Sequence, residues 1–77
     1  MANTRMEYKT ILELANKELG EQGIAIELTH DEDGFYGIDI IRGKGTDNES
    51  RENYAENYFE SELDGLVVEA WHVASNE

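Results

Sequence analysis

An α+β domain is the fold class this sequence predicts, and three observations carry it. Apolar residues recur at helical spacing from Tyr8 to Leu19, two alternating apolar runs flank the turn Asp31-Glu32-Asp33-Gly34, and a second helical stripe occupies the C-terminal third. The expected architecture is one small domain over residues 1–77 in the order helix, strand, strand, helix. An antiparallel β-hairpin packs against both helices, because an isolated two-stranded ribbon is unstable in water.

The first helix opens on Thr4-Arg5-Met6-Glu7, a Thr-x-x-Glu capping box, and continues with Tyr8, Ile11, Leu12, Ala15 and Leu19 on one face. This spacing predicts a helix over residues 5–19. Gly20 stands where a left-handed helix-ending residue is expected, and Gly23 follows it. The period then changes to two. In IAIELTH, residues 24–30, Ile24, Ile26 and Leu28 alternate with Ala25, Glu27 and Thr29, and FYGIDIIRG, residues 35–43, sets Tyr36, Ile38 and Ile40 against Phe35, Asp39 and Ile41. With DEDG between them, the two runs read as a hairpin.

Thr46-Asp47-Asn48-Glu49 repeats the capping-box pattern and predicts a second helix from residue 47 to residue 74. Ala55, Phe59, Leu63, Leu66, Val67, Ala70 and Ala74 fall on its inner face. Gly65 is the weak point, since an interior glycine costs about 1 kcal/mol relative to alanine. The alternative is a turn at Asp64-Gly65 with residues 66–73 as a third strand, for which LVVEAWHV supplies β-forming residues. The predicted core is Ile11, Leu12, Ala15, Leu19, Ile24, Ile26, Ile38, Ile40, Leu63, Leu66, Val67, Ala70 and Trp71.

Charge is the most informative feature of the composition. The chain has 18 acidic and 6 basic residues, a formal charge of −12. Residues 27–39 hold Glu27, Asp31, Glu32, Asp33 and Asp39 without a base, and residues 47–69 set eight acids against Arg51 alone. These two segments account for the whole excess. A field of this sign repels nucleic acid and anionic membranes and attracts basic surfaces, so direct DNA or RNA binding is not expected. Without cysteine, disulfides and thiolate metal sites are excluded. No run approaches the roughly 18 to 20 apolar residues of a membrane span, and MANTRMEYKT lacks the apolar run of a signal peptide; the expected location is the cytoplasm. A chain of this size buries only about 60 to 65% of its unfolded surface, so a second copy is an expected source of further burial.

On a helix, Glu52, Glu56 and Glu60 would stack at i, i+4 in one column. Like charges at that spacing destabilise by about 0.2 to 0.5 kcal/mol per pair, and no lysine is placed to relieve them. Tyr54 and Tyr58 would lie together on the side away from the carboxylates, as contact area for a partner. The expected partner-binding surface therefore comprises Asp31, Glu32 and Asp33 on the hairpin turn, with Glu49, Glu52, Tyr54, Glu56, Tyr58, Glu60, Glu62 and Asp64 on the second helix.

These residues suggest a small acidic binding protein that inhibits a nucleic-acid-binding protein by occupying its basic site. In size and charge the chain is similar to small acidic proteins of phages and mobile elements, such as anti-CRISPR and anti-restriction proteins that mimic DNA. That likeness is one of composition and carries no residue assignments. Two alternatives use the same residues: an immunity protein or antitoxin that neutralises a basic toxin, and an acidic domain whose charge serves only solvation.

Other chemistries lack their patterns. DEDG departs from the calcium-loop form, because Gly34 directly follows Asp33 and position twelve from Asp31 is Arg42. His30 and His72 are the only histidines, too few for a zinc site without carboxylates. GKG at residues 43–45 is not a phosphate loop and reads as a mobile joint. No catalytic residues, metal or cofactor are expected.

Overall fold

Helix, hairpin and helix form as the residue pattern requires, and a third strand joins them. The computed structural model describes residues 7–76. Along the chain lie α1 (Tyr8–Leu19), β1 (Ile24–His30), β2 (Tyr36–Arg42), β3 (Ser50–Tyr58) and α2 (Leu63–Ser75), with short 3-10 turns at Gly20–Gln22 and Glu60–Glu62. The strands make an antiparallel sheet in the order β1-β2-β3. The hairpin packed against two helices is as expected, and the fold is α+β.

Residues 50–58 are strand rather than helix, and residues 66–73, the alternative strand, are helix. The cause is visible in the pairings β3 makes. As a helix its glutamates would face one another. As a strand, Glu52 meets Arg42 at 3.3 Å, Arg51 meets Glu27 at 2.7 Å and Asp39 at 3.1 Å, and Asn53 donates to Asp39 at 3.1 Å. Glu27 and Asp39 are direct cross-strand neighbours of like charge, and Arg51 bridges them. The second capping-box segment serves a loop instead. Thr46 Oγ1 donates to the Gly43 carbonyl and accepts from Asn48 N–H, and a Glu49 carboxylate oxygen accepts from Gly45 N–H at 2.9 Å. Residues 43–49 are thus tied by hydrogen bonds rather than forming the loose joint read from GKG.

Helix α1 begins later than predicted. Glu7 is extended and precedes the first turn, so it does not occupy the third helical position of a capping box; Thr4, Arg5 and Met6 lie outside the described residues. At the other end Gly20 keeps right-handed angles and the chain continues for one 3-10 turn. The left-handed residue is Gly23, at φ +75°.

The core lies between the helices and one sheet face: Ile11, Ala15 and Leu19 of α1, Ile24, Ile26, Ile38 and Ile40 of the sheet, and Leu63, Leu66, Val67, Ala70 and Ala74 of α2. Leu12 and Trp71 pack at its margin. Ile41 is fully buried on the opposite sheet face, between its cross-strand neighbours Ala25 and Arg51.

Both sheet edges are blunted. On β1, Asn16 of α1 imitates a neighbouring strand: its Oδ1 accepts from Ile26 N–H at 2.7 Å and its Nδ2 donates to the Ile26 carbonyl at 3.0 Å. Asn16→Ala should cost about 1 to 2 kcal/mol by leaving both backbone groups without their partner, and amide hydrogen exchange at Ile26 should accelerate. An unchanged exchange rate would show that water replaces the side chain without loss. On β3, the register shifts by one residue on each side of Ile38, so two bulges break the ladder, and Asn57 takes a left-handed φ of +68°.

Candidate functional site

Antiparallel register decides which acids become neighbours. Tyr36 pairs with Tyr58, so the hairpin turn and the exit of β3 lie at one end of the sheet. Phe35 and Phe59, just beyond that pair, are in ring contact with centroids 5.5 Å apart. Asp31, Glu32 and Asp33 are thereby brought to the same end as Glu56, Tyr58, Glu60, Glu62 and Asp64. Asp31 and Glu56 line one notch with Thr29, Phe35, Gly37 and Asn57. Glu49 and Glu52 fall at the opposite end, where they are engaged by Gly45 N–H and Arg42. The acidic column Glu52-Glu56-Glu60 does not exist.

Each residue at the acidic end is held by local chemistry. Asp31 ties the turn: one carboxylate oxygen accepts from Asp33 N–H at 2.9 Å and Phe35 N–H at 3.0 Å, while Gly34 turns the chain at φ +88°. Beyond β3, a Glu62 carboxylate oxygen accepts from Phe59 N–H at 2.8 Å and Glu62 N–H donates to the Phe59 carbonyl. Phenylalanine has no side-chain acceptor, so only the return half of a capping box is made. Tyr8 Oη donates to Glu60 at 3.0 Å, joining the start of α1 to this end. Desolvation, then the Glu60 carboxylate, raises the Tyr8 pKa.

Both helices therefore begin at the acidic end, and their N-terminal dipoles favour carboxylates there. Part of the charge is thus structural. Glu32, Asp33 and Glu56 are exposed, and Phe59 stands at the same end, 61% exposed yet tied by its backbone bonds and in ring contact with Phe35.

The tyrosines differ from expectation. Tyr54 and Tyr58 are half-buried against the core, and Tyr54 Oη donates to Glu69 of α2 at 3.3 Å. Burial, then Glu69, raises the Tyr54 pKa. Phe59, which helical spacing places on one face with Ala55 and Leu63, is instead an exposed aromatic directly after β3.

Away from this end, Arg51 holds the Glu27 carboxyl below the usual glutamate range through their hydrogen bond, and the two carboxylates raise the Arg51 pKa in return. His30 stacks on Tyr36 at 4.2 Å between ring centroids, whereas His72 lies on α2 toward its C-terminus. Among the described residues no group of three or more His, Cys, Asp or Glu is placed to hold a metal, and no helix is long and apolar enough to cross a membrane. Comparison of the chain with protein-family models, with curated proteins and with solved structures finds no match.

Proposed function

We propose that this chain is a small acidic binding protein of the cytoplasm that occupies the basic, nucleic-acid-binding surface of another protein, in the manner of a DNA mimic, and that it is not an enzyme. One observation carries the reading. Two acidic segments distant in sequence converge on one end of the sheet, which also carries an exposed, backbone-tied phenylalanine. Carboxylates can stand in for phosphates in a Lys/Arg groove, and exposed aromatics, Phe among them, are enriched at protein interfaces. A basic nuclease toxin belongs to the same partner class. The solvation reading explains net charge but not the exposed aromatic at the same end.

The test is capture of purified nucleic-acid-binding proteins with basic clefts by the immobilised chain, with duplex DNA as competitor. Binding should weaken as salt rises and DNA should displace the chain. Glu32→Gln, Asp33→Asn and Glu56→Gln together should lower affinity about tenfold or more, which is about 1.4 kcal/mol, without loss of stability, since these side chains are exposed. Binding by this triple variant as tight as that of the unaltered chain at low salt would refute the mimic reading.

A further inference from the structure

KGTDNESREN, residues 44–53, has no aliphatic or aromatic side chain, and every residue in it is exposed. It runs from the loop after β2 through the first half of β3, along the sheet face away from the helices where Ile41 is fully buried. Register explains how so polar a stretch seals an isoleucine. Ile41 pairs with Ala25 of β1 on one side and with Arg51 of β3 on the other. Arg51 donates to Glu27 of β1 at 2.7 Å and to Asp39 of β2 at 3.1 Å. With β2 between β3 and β1 and strands about 4.8 Å apart, its side chain reaches Glu27 only by crossing β2 beside Ile41. The aliphatic stem is therefore the cover and the guanidinium the fastening.

The stretch also has defined ends. Gly43 and Gly45, at φ +68° and +82°, turn the chain at its start. At its finish the register shifts between the pairs Asp39–Asn53 and Ile38–Ala55, and beyond that bulge Tyr54, Ala55 and Tyr58 pack against the core. Hydrogen bonds among Gly43, Gly45, Thr46, Asn48 and Glu49 are internal and hold the loop part as one piece. Polar ties join it to the rest: Arg51 to its two carboxylates, Glu52 to Arg42 at 3.3 Å, Asn53 to Asp39 at 3.1 Å, and Lys44 N–H to the Gly23 carbonyl at 3.1 Å, besides the backbone ladder with β2. Separation gives up no apolar burial of its own and uncovers only Ile41 and its neighbour Ala25. Such a stretch belongs to the least stable part of a fold.

We infer that residues 44–53 form a strap over the outer sheet face that opens as a unit without global unfolding, and that Arg51 is its latch. Closed, the strap seals Ile41 and bridges the like-charged neighbours Glu27 and Asp39; open, it bares an isoleucine beside two unbridged carboxylates. The device lies away from the acidic end and stands without the partner-binding reading. Native-state hydrogen exchange of the full chain at increasing urea tests it. Because Ile26 gives its backbone groups to Asn16, its partner Ile40 turns its own toward Glu52, so the Glu52 amide reports on the strap. That amide should exchange at least about tenfold faster than those shared by β1 and β2, with little dependence on urea, since little surface opens. Arg51→Met keeps the stem and removes the charge. Glu52 exchange should then rise about threefold to tenfold, more than for one isolated exposed pair because two carboxylates lose their bridge together. Adding Glu27→Gln to Arg51→Met should recover part of the loss, as the like charges no longer oppose each other. Added salt should speed Glu52 exchange in the unaltered chain, and less so in Arg51→Met. A Glu52 amide that exchanges only with global unfolding would overturn the strap, and an unchanged rate in Arg51→Met would overturn the latch.

Discussion

Leu63→Ala is expected to destabilise the protein by about 2 to 5 kcal/mol, as for other fully buried leucines replaced without collapse of the site. Leu63 has no exposed surface and sits where the 3-10 turn Glu60–Glu62 passes into α2, within the cluster that joins α2 to both hairpin strands. A chain of this length has a total stability of roughly 4 to 11 kcal/mol, so the loss is a large share of the whole. Urea unfolding should show a lower midpoint at an unchanged slope. Leu63→Met, which conserves volume, should cost less than about 1.5 kcal/mol. Phe59→Ala provides the contrast: four residues earlier and 61% exposed, it should leave the midpoint nearly unaltered. Equal losses at both positions would mean that Phe59 is a core residue after all.

Gly37→Ala is the second large effect, at about 3 kcal/mol, the upper part of the range for overpacking. A methyl group there would stand 2.6 Å from the Ala55 carbonyl oxygen, 2.7 Å from Thr29 Oγ1 and 3.2 Å from Glu56 Cα. The bulged half of β3 passes directly over Gly37, so relief requires β3 backbone to move. Removing the hydroxyl with Thr29→Ala should restore only part of the loss, because the carbonyl contact remains. Complete rescue would locate the strain in the side chain alone. Since the same stretch delivers Glu56 and Tyr58 to the acidic end, Gly37→Ala should also reduce partner binding, whereas Leu63→Met should not.

Much of this fold is legible in the sequence where burial is one-sided. The stripe Ile11, Ala15, Leu19 and the alternation Ile24, Ile26 against Ile38, Ile40 each report a surface with one wet face, and all of these residues are in the core. Strand β3 was not legible for the opposite reason. It is an edge strand whose outward side chains are polar and whose two bulges destroy the period of two, while Ala55, Phe59 and Leu63 mimic a helical stripe by coincidence. The signal that could have found it lies in β2. Ile40 and Ile41 are adjacent and both fully buried, which requires cover on both faces of that strand, and a strand covered on both faces is seldom at an edge. The acidic end was half legible: its residues could be named, but their convergence depends on the register Tyr36 to Tyr58, which no local pattern encodes. Glu49 and Glu52 left the site for that reason.

The charges are sorted as well as unequal. Lys17, Arg42, Lys44 and Arg51 all belong to the half of the molecule where Gly23 and Lys44 share a backbone hydrogen bond, remote from the hairpin turn. Of the described lysines and arginines only Lys9 sits near the acidic end. The protein is therefore an electric dipole superimposed on a net negative charge, and a positive surface exerts a torque on it before contact. Diffusional encounters with such a surface would be turned so that the acidic end leads, shortening the orientational search that limits ordinary protein association.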